Sequence, residues 1–340
     1  MCDVLQVFSR LVYKRRQRAL WTKVRRLSNA DRRHDVKDLR HTLRKGLQLS
    51  AILAAIACPV GATKALAAPL IDISPFKDPL FDYPQPSGAS RDGTVLDVPY
   101  SEARDIDQRD EIPERRVRSP YVELLARNLF ADETLPTPAG PLRWMRVGQI
   151  SRAKAVVVFV HGRNGDRRLG MNDWTFGGNF NRLKNLMVRV GGAYVTFDGG
   201  GLGEADAARG AALVRHIRLT APETRIVLAC GSMGGELCWN LMADKTLAPM
   251  VAGLVYLGSN GDEARFERMR KASGEPIPLL LAHGTRDKVY PWARQKVWFD
   301  QVRKRYPSYP IRMVLFDDGN HGTPIRMIDW RDTLNWILKR

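Results

Sequence analysis

Six short apolar runs recur at near-regular distance through the C-terminal half of the chain, and they constrain the fold more than any other feature. They are 155–160 (AVVVFV), 193–197 (AYVTF), 225–230 (RIVLAC), 251–257 (VAGLVYL), 278–282 (PLLLA) and 311–316 (IRMVLF). Unbroken apolar runs of this length read as strands buried on both faces, the pattern of a parallel sheet. Helical periodicities lie between and after them, at 180–190, 203–219, 234–243, 291–306 and 323–338. Such alternation predicts an open, predominantly parallel α/β sheet with helices on both faces. Residues 142–147 read as an edge strand. Residues 258–277, between the fourth and fifth runs, are too few for a large lid domain.

Upstream of 142 the pattern changes. The chain has 340 residues and a net charge of +18, and residues 1–46 alone hold 14 Lys and Arg against 4 Asp and Glu. Residues 46–63 carry no charge, and Ala65-Leu66-Ala67 follows as a small-x-small site. A basic stretch, a short apolar core and such a site form the pattern of a secretory signal peptide, with cleavage expected after Ala67 and an exported, periplasmic or secreted product. The basic stretch is long for a leader, so the translation start is expected near residue 36. An uncleaved anchor at 46–63 and lipidation at Cys58 are the alternatives. Arg32-Arg33 lacks the apolar residues of a twin-arginine signal and reads as a solvated charge run. Residues 68–141, rich in Pro, Asp and Arg, are expected to form an arm with one helix at 121–130, packed on a 142–340 catalytic domain. Most of the charge belongs to the leader. No nucleic-acid partner is therefore expected, and at most a transient contact with a membrane surface. The four cysteines include no CxxC, so no Cys-based zinc or redox site is expected, and no other metal or cofactor is expected either. Cys230 and Cys238 are not expected to bridge, being placed at a strand end and two helical turns on.

In a parallel sheet function sits past the carboxyl ends of the strands. After 225–230 comes Gly231-Ser232-Met233-Gly234-Gly235 and then a helix. A Ser on a tight strand-to-helix turn between small residues is a nucleophile elbow, with Cys230 where the G-x-S-x-G pattern has its first Gly. After 278–282 comes His283-Gly284-Thr285-Arg286-Asp287, and after 311–316 comes Asp317-Asp318-Gly319-Asn320-His321. A hydroxyl becomes a useful nucleophile when a base takes its proton, and the base needs a carboxylate to orient it. Ser232, Asp287 and His321 supply these types in this order, each just past a strand. Asp262 is a competing acid, and Asp317 and Asp318 lie too near His321 in sequence to orient it easily. His161 and His283 read as structural. Residues 199–203 (GGGLG) hint at a dinucleotide loop, but Asp206 occupies the last glycine position of that motif, so they read as a tight turn.

From about residue 142 onward the chain resembles the α/β-hydrolase superfamily of serine esterases, lipases and related acyl hydrolases. The likeness rests on the elbow, on Val160-His161-Gly162-Arg163, on His283-Gly284-x-x-Asp287 and on Gly319-Asn320-His321-Gly322. It implies Ser232 as nucleophile, His321 as base then acid, and Asp287 as its orienting carboxylate. It further implies an oxyanion hole from the backbone N–H groups of Met233 and Arg163. The loop 164–179 carries Trp174 and Phe176, which are expected either to form a substrate wall or to pack on the core. Arg163, Arg167 and Arg168 hint at an anionic substrate. The expected function is hydrolysis of small-molecule or lipid carboxylic esters, as a carboxylesterase or phospholipase-like enzyme. A peptidase or thioesterase on the same fold and a non-catalytic binding protein are the alternatives.

Overall fold

The computed structural model describes residues 70–340. The expected leader, the start near residue 36, the cleavage after Ala67, the anchor at 46–63 and lipidation at Cys58 lie outside the described residues.

The strands are β1 (Gly88–Ala89), β2 (Val95–Pro99), β3 (Asp110–Glu111), β4 (Arg116–Val117), β5 (Phe130–Leu135), β6 (Leu142–Val147), β7 (Ala155–Val160), β8 (Ala193–Phe197), β9 (Arg225–Gly231), β10 (Val251–Leu257), β11 (Leu279–Gly284) and β12 (Ile311–Asp317). Ten of them form one sheet in the order β1-β2-β12-β11-β10-β9-β7-β8-β6-β5, while β3 and β4 pair apart as a small ribbon. Every neighbour from β2 to β8 in that order is parallel; β6, β5 and β1 join antiparallel. The apolar runs are central strands because they have two faces to bury. All six residues of β7 and all five of β8 are buried.

Helices cover both faces. They are α1 (Asp78–Phe81), α2 (Arg167–Met171), α3 (Asn179–Arg189), α4 (Glu204–Thr220), α5 (Gly234–Met242), α6 (Glu263–Ser273), α7 (Trp292–Arg305), α8 (Thr323–Met327) and α9 (Trp330–Leu338). One core packs the sheet against α4, α5, α6 and α7, through residues such as Leu213, Leu237, Phe266 and Phe299. The other packs it against α3 and α9 through Phe180, Leu183, Met187 and Trp330. Phe180, Leu183 and Met187 recur at helical spacing, which is why α3 presents one apolar stripe. The expected helix at 323–338 is broken. Ile328 is extended, and the Asp329 carboxylate caps a new helix by accepting from the Arg331 and Asp332 amides.

The region upstream of 142 is part of the domain rather than an arm laid on it. β5 pairs along the whole of β6, and β2 pairs in parallel with β12. The edge on that side is therefore β5, not β6, and a boundary at 142 would cut a hairpin. The sequence FADETL hides this strand because an edge with both faces part-exposed needs no apolar run. The helix expected at 121–130 is also absent. Two short 3₁₀ turns, Ser119–Tyr121 and Leu125–Leu129, stand there, and Phe130 leaves the helical path to pair with Val147. Residues 258–277, expected to hold no large lid, contain α6, which buries Phe266 and Met269.

Buried charges sew the upstream region down. Arg182, fully buried on α3, donates to Asp78 at 2.9 Å and lies 3.3 Å from Asp329 and 3.8 Å from Asp82. Its guanidinium also sits over the Phe81 ring, 4.9 Å from the centroid. Removing one partner of such a cluster strands the others without water. Arg182→Ala is therefore expected to destabilise the fold by about 3–5 kcal/mol, read as a lower urea midpoint at unchanged m-value.

Candidate functional site

The chain crosses the sheet in a way that opens a crevice beside β7. From β7 it passes through α3 to β8 on one side, then through α4 to β9 on the other. Loops leaving β7 and β9 therefore diverge, and such a switch point is where open α/β sheets bind ligands. Gly162 and Arg163 follow β7; Ser232 and Met233 follow β9. The two strands are in parallel register, with Val160 opposite Cys230.

Ser232 adopts φ 52°, in the left-handed region that side chains other than glycine's rarely enter. The turn is tight enough that a Cβ on Gly234 would stand 2.5 Å from the His161 carbonyl oxygen. Only glycine fits there, so α5 can begin directly against β7. The Ser232 amide donates to Leu257 O at 2.9 Å, and its carbonyl accepts from the Ser259 hydroxyl at 2.6 Å. Ser259 is fully buried and was not singled out from the sequence, although its place two residues past β10 obeys the strand-end rule that found the others.

Ser232 Oγ lies 2.8 Å from His321 Nε2, and His321 Nδ1 lies 2.8 Å from Asp287 Oδ2. The second oxygen of Asp287 accepts from the Val289 and Tyr290 amides at 2.7 and 3.0 Å. Burial pushes this carboxyl up, but the His321 ring and the two amides outweigh it and hold Asp287 below the usual carboxylate range. An ionised carboxylate only accepts, so Nδ1 of His321 carries the proton and Nε2 faces the hydroxyl as acceptor. The Asp287 side chain is sealed from solvent while that of His321 is 30% exposed, so the imidazole can meet an incoming molecule and its partner cannot.

That turn and that sheet order decide the architecture. The chain has the α/β-hydrolase fold.

The other expected residues divide. The loop bearing the Arg163 amide approaches Ser232 closely, since a Cβ on Gly162 would lie 3.0 Å from Ser232 Cβ. Among the described residues, the amides of Met233 and Arg163 donate to no protein acceptor. His161 is buried beneath that loop. Its Nε2 accepts from the Gly199 amide at 2.9 Å, so Nδ1 donates to Gly162 O at 2.7 Å. Trp174 is covered by Arg116, whose guanidinium is 3.8 Å from an indole centroid. Phe176 stacks edge-on to Phe180 at 5.6 Å and joins the core. Both aromatics of the expected wall are thus engaged by this chain's own residues. Asp262 caps α6 through the Arg265 amide, and Asp318 pairs with Arg286 at 2.7 Å. Gly199 to Leu202 closes as a tight turn, with Asp206 accepting from the Gly203 amide. A cavity of about 410 Å³ between Phe130, Met145 and Lys184 includes none of Ser232, Asp287 or His321.

Cys230 and Cys238, not expected to bridge, form a disulfide with Cα atoms 6.6 Å apart. Helix α5 begins at Gly234, so Cys238 lies only about 6 Å along it rather than two turns on. The elbow folds that first turn back over the sheet face to which Cys230 points, and both sulfurs enter the same core.

No family model matches the chain. It is 34% identical over 62 residues to the Bacillus subtilis protein named "Putative esterase YitV", across 16% of this chain and 24% of that one. It is 28% identical over 195 residues to "Uncharacterized protein YfhR" of Escherichia coli K12, across 51% of this chain and 65% of that one. The chain thus spans about a quarter of YitV's length and just under two thirds of YfhR's. The feruloyl esterase module from Clostridium thermocellum shares 14% identity at a TM-score of 0.49, over 62% of this chain and 87% of that module.

Two outcomes follow from these surroundings. Peptide 226–245 of unreduced protein is expected to be lighter by two hydrogens than its reduced form in mass spectra. Replacing both cysteines by alanine is expected to cost about 2–3 kcal/mol in urea unfolding. His283 is fully buried beside the three residues, and burial pushes its imidazole down to about 4. The unfolded ring takes a proton near its ordinary 6.5, well before the folded one does. Stability is therefore expected to fall as pH drops from about 6.5 toward about 4, by up to about 3 kcal/mol. His283→Gln should flatten that part of the stability–pH curve.

Proposed function

We propose that the protein is a serine hydrolase of carboxylic esters, with Ser232 as nucleophile. The observation that carries this reading is the continuous pair of 2.8 Å hydrogen bonds from Asp287 through His321 to Ser232. His321 Nε2 takes the hydroxyl proton as Oγ attacks the ester carbonyl carbon. The carbonyl oxygen becomes an oxyanion and accepts from the free amides of Met233 and Arg163. One such donor contributes about 2.7–4 kcal/mol in the transition state. The imidazolium then protonates the departing alkoxide, leaving an acyl-enzyme. A water enters, gives its proton to Nε2, attacks the acyl carbon and releases the acid as Ser232 recovers its proton. Asp287 stays ionised throughout and holds the ring in one tautomer.

A carboxylesterase or phospholipase-like role fits better than a peptidase, because the 258–277 segment folds onto the core as α6 and adds no peptide-binding domain. The name of the B. subtilis relative points the same way. The Cys230–Cys238 bridge favours an exported protein, since disulfides persist in oxidising compartments. A binding protein on the same scaffold would not need a base aligned on a strained serine.

Purified protein is expected to hydrolyse short p-nitrophenyl esters and to be labelled covalently at Ser232 by a fluorophosphonate probe. Ser232→Ala should lower kcat by on the order of 10⁴–10⁶ and abolish labelling. Full activity in that variant would end this reading.

A further inference from the structure

Three arginines follow one another closely after β7, and the structure separates them. Arg167 is buried, bonded to Asp132 at 3.0 Å and to Asp198 at 3.0 Å. Arg168 is held by Asp166. Arg167 is thus enclosed by carboxylates, and Arg168 is already paired. Arg163 is exposed and, among the described residues, has no carboxylate partner. Its Nε donates to the sulfur of Met233 at 3.4 Å, so the side chain bends across the elbow to the residue beside the nucleophile.

The surroundings of this guanidinium are asymmetric. Glu236, on the first turn of α5, is already paired with Arg265. Tyr290 leans on the His321 ring at 5.9 Å, and Val289 beside it is 58% exposed, an apolar lip next to the base. Burial and Glu236 push the Tyr290 phenol up against the pull of Arg163, which places that arginine within electrostatic range of the lip. The entrance to Ser232 thus combines the unneutralised Arg163 guanidinium, and the exposed Lys288 beside the lip, with exposed apolar surface. Fixed cations at a cleft mouth raise the local concentration of anions and orient them.

We propose that Arg163, through its side chain, selects esters that carry a second, anionic group. This rests on the ester-hydrolase reading above and narrows it to a substrate class. The anion is a carboxylate or a phosphate, on either the acyl or the alcohol side of the scissile bond, and the guanidinium meets it while the backbone N–H of the same residue serves the oxyanion. Because the guanidinium is solvent-exposed, its discrimination is modest, about three- to tenfold in kcat/KM.

The test compares matched esters on the full chain. Monomethyl adipate against methyl hexanoate places the charge on the acyl side. Para-acetoxybenzoate against its methyl ester places it on the alcohol side. The quantity read is the charged-to-neutral ratio of kcat/KM within each variant, which cancels any shared change in the oxyanion contact. In the native protein that ratio is expected to fall as salt rises. Arg163→Gln should lower it about three- to tenfold for one of the two pairs, and Arg163→Lys should retain most of it. The pair that responds identifies the side bearing the anion. A ratio that is salt-independent and unchanged in Arg163→Gln overturns the inference while leaving the esterase reading intact. Failure of the native protein to hydrolyse any of the four esters overturns both.

Discussion

A serine at φ 52° costs on the order of 1–2 kcal/mol relative to relaxed backbone, and Ser232 keeps that conformation because its neighbours leave no other path. Its amide is tied to β10 at Leu257, and its carbonyl accepts from both the Gly235 amide and the buried Ser259 hydroxyl. The disulfide joins the strand before the turn to the helix after it. Held from both sides, the turn cannot relax, and the hydroxyl stays clear of the sheet. A serine in ordinary extended or helical backbone at this point would lie along the strand or in the helix, and Nε2 of His321 would face empty space.

His321 and its carboxylate partner belong to one body, distinct from the elbow. The loops after β11 and β12 interlock: the Thr285 amide donates to Phe316 O, the Arg286 amide to Gly319 O and the Asp318 amide to the Thr285 hydroxyl. Asp287 and His321 are thus aligned before any serine is considered. What joins this body to the elbow is the end of β10. Gly258, at φ 60°, donates to Ala282 O at 2.8 Å, and a Cβ there would lie 3.1 Å from His321 O. A larger residue would push the imidazole away from Ser232, so the spacing of the relay depends on a residue with no side chain at all.

The central sheet was readable because buried strands impose their signature on composition. AVVVFV and AYVTF are strands to the residue, and the loops after 225–230, 278–282 and 311–316 hold the three aligned side chains. The losses share one cause. FADETL, VLDVP and the 263–273 helix lie at edges or under partial cover, where packing asks little of the sequence and pairing is decided by distant segments. Ser259 belongs to no motif, and the Cys230–Cys238 bridge depends on a strand-to-helix reversal that separation along the chain does not reveal. At Trp174 and Phe176, aromatic composition signals burial without saying whether a ligand or the chain itself provides the cover.

Net positive charge misleads for a related reason. Arg109 is buried, stacked between the Phe81 and Tyr121 rings and bonded to Gly177 O, and burial pushes it down to about 10. Arg326 pairs with Asp110 at 2.6 Å, and Arg182 and Arg167 are enclosed by carboxylates. All four tie segments far apart in sequence, and the three paired with carboxylates project little field outward, because each is neutralised where it stands. Planar, multiply donating guanidinium suits that work better than ammonium would. The surface potential of the folded domain is then set by the arginines left without partners rather than by their number. At the switch point of the sheet that leaves the side chain of Arg163, at the place where the loop leaving β7 meets the start of α5.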